Sequence, residues 1–162
     1  MIIRLKNKDM LMYDTFNFKC CVGLKGLKLK KKEGDKTTPK GTFSLGKIYY
    51  RSDRVKKPET FLNLRKIKKN MGWCHDVNSK SYNSEVQINK NTKSEKLFRD
   101  DNKYDYFVVI NYNPQREKLR GSAIFIHLTN NYKPTAGCIA LKKKDFLILI
   151  KIIKKQTKII IN

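Results

Sequence analysis

Acidic side chains are scarce in this chain: its 162 residues carry 14 Asp and Glu against 37 Lys and Arg, for a net charge of +23 and a pI near 10.0. Such a balance by itself suggests a polyanionic partner, nucleic acid or an anionic surface. The lysines are spread along the whole chain among Asn and Ile, so a lysine-rich compositional bias fits the charge alone equally well. Cysteine is also sparse. Cys20, Cys21, Cys74 and Cys138 form no CxxC pair, which argues against a disulfide-stapled scaffold and a treble-clef zinc site and leaves at least one thiol for chemistry. Long apolar runs are missing. The longest, Phe146 to Ile150 continuing past Lys151 to Ile153, is far short of the roughly 20 residues that span a bilayer. The first twenty residues are interrupted by Arg4, Lys6, Lys8, Asp9 and Asp14, so no signal-type apolar core is visible. A soluble or at most surface-bound protein without a transmembrane segment is expected. There is no internal repeat or low-complexity linker, and Lys28 to Lys32 reads as a solvated turn.

Hydrophobic residues make up 40% of the chain, enough for one core and not for two, so residues 1–162 read as a single domain. Short segments rich in Ile, Val, Phe or Tyr, bounded by Gly, Pro, Asn or Asp, read as strands: Met1 to Leu5, Phe16 to Val22, Thr42 to Tyr50, Tyr106 to Tyr112, Ala123 to Leu128 and Lys158 to Ile161. One substantial helix is expected near the C-terminus. Asp145 reads as its N-cap before FLILIKIIKK, whose lysines gather at the negative end of the helix dipole. A shorter helix is expected near Ser94 to Arg99. The fold class is therefore mainly β.

Only two histidines occur, and one of them, His127, ends the apolar run Ile124-Phe125-Ile126, eleven residues before Cys138. A strand end holds an imidazole on rigid backbone. Thr135-Ala136-Gly137-Cys138 is a small-residue turn in which Gly137 permits close approach of a ligand, and two consecutive N–H groups can point one way, an oxyanion hole in outline. A thiol with pKa about 8.5 beside an imidazole with pKa about 6.5 exchanges a proton near neutrality and supplies a thiolate on demand. The bland alternative is a small buried Cys138 and a satisfied His127, the usual state of both residue types.

The wider sequence resembles the L,D-transpeptidase catalytic domain, the YkuD-like family of peptidoglycan-remodelling cysteine enzymes. The likeness begins at EGDKTTPKGTF (Glu33 to Phe43), similar to a G-D-x-x-T-P-x-G-x-F segment, and continues through YYRSDRV (Tyr49 to Val55) and GWCHDVNSKSYN (Gly72 to Asn83). It extends over SEKLFRDDNKYDYFVVINYN (Ser94 to Asn113), GSAIFIH and PTAGCIAL, in the manner of a compact branch that consists of the catalytic domain alone. The resemblance implies a β-sandwich or barrel, Cys138 as nucleophile and His127 as general base. It further implies the N–H groups of Gly137 and Cys138 as oxyanion donors and the Leu128 carbonyl as orienter of the imidazole. Where the common pattern reads Ser/Thr-His-Gly-Cys-x-Arg, this chain has Ala136 and Ala140, so an arginine that would hold substrate is missing, and the NNYKP loop between His127 and Cys138 must be tight.

The resemblance also implies the substrate, peptidoglycan stem peptides, whose carboxylates suit guanidinium groups. Arg120, Trp73, His75, Tyr132 and Thr135 are the substrate-contact candidates, with Trp73 and His75 read in a polar turn with Cys74 and Asp76. Arg116 and Lys133 flank the site, and Lys133 reads as a surface charge. Arg51, Arg54 and Arg99 suit substrate contact or structural ion pairs equally. No metal is expected, since Cys74, His75 and Asp76 are too close in sequence to converge on one tetrahedral ion. No organic cofactor, nucleic-acid partner or oligomer is expected. The predicted activity is stem-peptide crosslinking through a thioester, with an L,D-carboxypeptidase using water as the near alternative. A basic nucleic-acid or cell-wall binding protein with an inert cysteine is the alternative from another class. A papain-like protease is disfavoured because His precedes Cys and no Asn or Asp orienter is evident. The family's substrate points to the periplasm or cell envelope; with no signal visible, the cytoplasm is the other site of action.

Overall fold

The computed structural model describes residues 1–29, 32–118 and 120–162. The strands in chain order are β1 (Ile2–Lys6), β2 (Met10–Tyr13), β3 (Phe16–Cys21), β4 (Leu27–Lys28), β5 (Thr38–Pro39), β6 (Gly41–Tyr50) and β7 (Leu64–Lys66). They continue with β8 (Met71–Cys74), β9 (Glu85–Gln87), β10 (Ser94–Lys96), β11 (Tyr106–Ile110), β12 (Phe125–Leu128), β13 (Ile139–Leu141) and, after helix α1 (Lys143–Ile152), β14 (Lys158–Ile161). The main sheet runs β11-β12-β13-β3-β2-β1-β14-β6-β7, and a further β6–β11 pairing closes it into a barrel. A second sheet, β10-β8-β9, covers part of the outside.

Period-2 alternation sorts the side chains of the strands nearest the site. Ile48 and Tyr50 of β6, Tyr106, Val108 and Ile110 of β11, and Ile126 and Leu128 of β12 join the large core cluster that also takes Phe146, Leu149 and Ile150 of α1. The intervening residues Tyr49, Phe107, Val109 and Phe125 turn to the other face and pack with Met71, Trp73, Leu97, Tyr104 and Cys138. Both faces of β11 and β12 are thus covered, which is why every residue of YFVVI and FIHL is buried.

All six expected strands are present, and the fold is mainly β with one C-terminal helix. The second helix is not. Ser94–Lys96 is a strand, antiparallel to β8 with Ser94 opposite Cys74; six residues are too few to repay helix nucleation, whereas β8 offers a ready ladder. Asp145 is not the N-cap either. Lys142 holds that place with extended backbone and no side-chain cap, and Asp145 lies in the first turn, where its charge still favours the dipole. The expected polar turn at Trp73 begins later, since Met71–Cys74 is a buried strand between β9 and β10. Of the lysine run, Lys28 pairs in β4 with Pro39, while Lys30 and Lys31 lie outside the described residues. No helix among the described residues is long and apolar enough to cross a membrane.

Phe146 is fully buried, and its ring stacks on Tyr106 at 6.2 Å. Phe146→Ala should lower unfolding free energy by about 3–5 kcal/mol, read by urea titration as a lower midpoint.

Candidate active site

His127 and Cys138 are brought together by a parallel strand pair. In the β12–β13 register Ile126 opposes Ile139 and His127 opposes Ala140, so Cys138, one residue before β13, comes level with Phe125. The sulfur accepts the Phe125 N–H at 3.3 Å, and the thiol reaches the Ala123 carbonyl at 3.2 Å. Both Cys138 and His127 line a cavity of about 530 Å³.

The imidazole is oriented by backbone. Nδ1 lies 2.9 Å from the Leu128 carbonyl; a carbonyl can only accept, so the proton sits on Nδ1 and Nε2 keeps its lone pair. The ring is buried and meets the Tyr104 ring edge-on at 5.4 Å. Burial pushes its pKa down to about 4, and the nearby cations Lys103 and Arg99 act in the same direction against the Leu128 hydrogen bond. The histidine is therefore neutral at pH 7, the state a general base requires.

Three threonine and glycine contacts shape the cysteine turn. Gly137 has φ of 143°, where an L side chain is strained, so the turn requires glycine there. Thr38, fully buried, accepts the Gly23 N–H at 2.8 Å and donates to the Gly137 carbonyl at 2.9 Å. Thr135 brackets the same turn, donating to the Cys138 carbonyl at 2.6 Å and accepting the Gly137 N–H at 3.1 Å. That N–H, expected as an oxyanion donor, is thus given to a hydroxyl, while the Phe125 N–H supplies a donor to the sulfur that the sequence did not suggest.

The thiol's other anchor is strained. Ala123 has φ of 55°, a conformation that costs a non-glycine residue roughly 1–2 kcal/mol. Asn83 holds it there: its Oδ1 accepts the Ala123 N–H at 3.1 Å and the Trp73 indole N–H at 3.0 Å, and its Nδ2 donates to the carbonyls of Tyr112 and Asn113 at 2.8 and 2.9 Å.

The other predicted contact residues scatter. Thr135 lines the cavity, as does Lys133. Trp73 does not; its indole packs edge-to-face on Phe125 and Tyr49 and borders a neighbouring cavity shared with Arg116. His75 is exposed beyond the end of β8. Tyr132 lies outside the lining with the ammonium groups of Lys19 and Lys142 at 4.9 and 5.6 Å from its ring, and Arg120 is an exposed partner of Glu117 at 2.9 Å. Among the described residues no group of three or more His, Cys, Asp or Glu is arranged to hold a metal.

The cavity also takes Arg99, one of the three arginines left open between substrate contact and ion pairing, and Glu33, Glu95, Lys103, Tyr104 and Ser122, which no motif singled out although all lie in the segments that carried the family likeness. The loop bearing Arg99 and Lys103 is tied down from behind. Arg51 pairs with both Asp53 oxygens at 2.8 Å and donates to the Arg99 carbonyl at 2.5 Å, and Arg54 pairs with Asp105 and donates to the carbonyls of Asp100 and Asp101. Arg51 and Arg54 are structural; Arg99 faces the site.

Two outcomes follow from this geometry. Thr38→Val keeps the volume and loses both hydrogen bonds, so it should cost about 1–3 kcal/mol and slow Cys138 alkylation, read by denaturant titration and peptide-mapped mass, whereas Thr38→Ser should stay near the parent. For His127, the folded pKa of about 4 lies below the ordinary 6.5, so between those values the unfolded chain binds more protons. Stability is then full above about pH 6.5 and is lost toward pH 4, by on the order of 3 kcal/mol. His127→Gln should flatten that slope in urea titrations across the same range.

No curated protein matches the chain. A model of the L,D-transpeptidase catalytic domain family, YkuD, matches residues 2–161. Barrel, covering sheet and cysteine turn all fall inside that match, and the chain belongs to the L,D-transpeptidase catalytic domain family.

Proposed function

We propose that the protein is a peptidoglycan L,D-transpeptidase that crosslinks stem peptides through a thioester on Cys138. The observation that carries this reading is a thiol held by Ala123 and Phe125 in a cavity it shares with a neutral, Nδ1-anchored His127. Nε2 takes the thiol proton, and the thiolate attacks the carbonyl of the L-centre of a diamino acid in the donor stem. The carbonyl oxygen becomes an oxyanion; the C–N bond then breaks, and the departing amine takes the proton from the imidazolium. A thioester remains. An acceptor amine attacks it, surrenders its proton to His127 and expels the thiolate, which leaves a new amide. Water in place of the amine makes the same site an L,D-carboxypeptidase.

Ala140 lines this cavity where the family pattern has arginine, and Arg99 and Lys103 enter the same space from the 99–105 loop, a cationic seat for stem carboxylates. Since the family's substrate is peptidoglycan, the cell envelope is the proposed site of action. An inert-cysteine binding protein would not need a positioned histidine and thiol in one cavity.

The test is muropeptide turnover with Cys138→Ala and His127→Asn. The first should fold and form no product. The second should lose ~10²- to 10⁴-fold at pH 7 and recover part of its acylation rate as pH rises and the thiol ionises unaided. His75→Asn should behave as the parent. A carbapenem should add its mass at Cys138 and not at Cys20, whose thiol burial pushes up to about 12. Product from folded Cys138→Ala would sink the reading.

A further inference from the structure

The chain has five glutamates, and their partners divide them. Glu59 pairs with Lys151, Glu85 with Arg65 and Glu117 with Arg120, at 2.6 to 2.9 Å. Glu33 and Glu95 line the Cys138 cavity, and among the described residues neither has a Lys or Arg within ion-pair distance. Glu95 accepts the Tyr104 hydroxyl at 2.5 Å and has the Arg99 charge nearby. Glu33 is different. Its Oε2 accepts the Tyr82 hydroxyl at 2.7 Å and the Ser122 hydroxyl at 2.6 Å, so the carboxylate is fixed in place by neutral donors. Ser122 immediately precedes Ala123, whose carbonyl holds the thiol, so this carboxylate is anchored one residue from the nucleophile's own support.

A fixed, half-buried carboxylate with hydroxyl partners and no counter-charge among the described residues is complementary to a cation brought by a ligand. Of the cations of the same cavity, Arg99 is already held in a two-point pair with Asp101 at 2.9 and 2.6 Å. Resting on the transpeptidase reading, we propose that Glu33 is a specificity-determining residue that binds a primary ammonium group of the substrate beside Cys138. Two parts of the reaction carry such a group, the side-chain ammonium of the donor's diamino acid and the acceptor amine before it attacks.

Glu33→Gln tests this with little disturbance, because the amide oxygen can accept both hydroxyls in place of Oε2 and only the charge is lost. The donor arm measures thioester formation, by intact mass, from a tetrapeptide stem whose side-chain amine is free or acetylated. The acceptor arm measures consumption of the preformed thioester by a small primary amine against its hydrolysis by water. If the ammonium belongs to the donor, the parent should favour the free-amine stem by roughly 10- to 100-fold and Glu33→Gln should erase that preference. If it belongs to the acceptor, Glu33→Gln should lower aminolysis by a similar factor and leave hydrolysis unchanged. Parental values of both ratios in a folded Glu33→Gln overturn the proposal. Calorimetric binding of the two stems to Cys138→Ala, with and without Glu33→Gln, separates this from the reaction itself. A parent that forms no thioester defeats the transpeptidase reading, whereas Cys138→Ala protein that binds free and acetylated stems alike, in a parent that also shows no preference in aminolysis, defeats the role of Glu33.

Discussion

The parallel register of β12 and β13 decides which way His127 and Cys138 face. With Ile126 opposite Ile139, period-2 alternation sends Ile126, Leu128, Ile139 and Leu141 to the cluster shared with α1 and turns Phe125, His127 and Cys138 toward the outer sheet. A slip of one residue would bury the imidazole among aliphatic side chains and expose isoleucine in the cavity, so the hydrophobic sorting of four residues enforces the geometry of His127 and Cys138. Ten residues make the return from Leu128 to Ile139. They are pinned by Thr129 N–H to the Leu141 carbonyl, by Thr135 N–H to the Val22 carbonyl and by Leu24 N–H to the Thr135 carbonyl. The tight loop is thus a strand-edge structure, and the sulfur inherits its position from the barrel.

Electrostatics follow from the same placement. Burial against Tyr104, which packs edge-on to the ring, removes water from His127 and holds it neutral. Burial also demands a rigid loop over the imidazole. The 99–105 segment is fastened by the Arg51 and Arg54 contacts and by Leu128 N–H to the Lys103 carbonyl at 3.0 Å. The stack of the Arg51 guanidinium on Phe98 at 3.4 Å lets a cation sit in a 4% exposed place. A chain so rich in cations therefore uses some of them as fasteners, and its net charge says little about a ligand.

What could be read from the sequence were local regularities: the Ile, Val, Phe and Tyr strands, the apolar helix and the small-residue turn before Cys138. Contacts between remote segments left no such mark. Thr38 reaches Gly137 across 99 residues, Ser122 reaches Glu33 across 89, and Asn83 reaches Ala123 across 40. Each is a single polar side chain whose neighbours in sequence give no hint of its partner. Trp73 misled for a related reason: Cys, His and Asp beside it look like a turn, yet pairing on both sides buries Met71–Cys74, and the polar character begins only at His75. The Ser94 segment failed as a helix because its partner strand, β8, had itself gone unrecognised.

The departures around the cysteine become intelligible on this frame. Ala140 is fully buried on the face of β13 that meets His127, in register with it. A guanidinium there would have to be desolvated inside the barrel wall, against the imidazole proposed as the base. A cation delivered by the 99–105 loop, already tethered by Asp101 and resting 5.2 Å from the Tyr104 ring centroid, meets the cavity from its wall with its charge partly balanced. On the proposed transpeptidase reading, the strand thus keeps a small residue beside the base while the covering loop carries the positive charge.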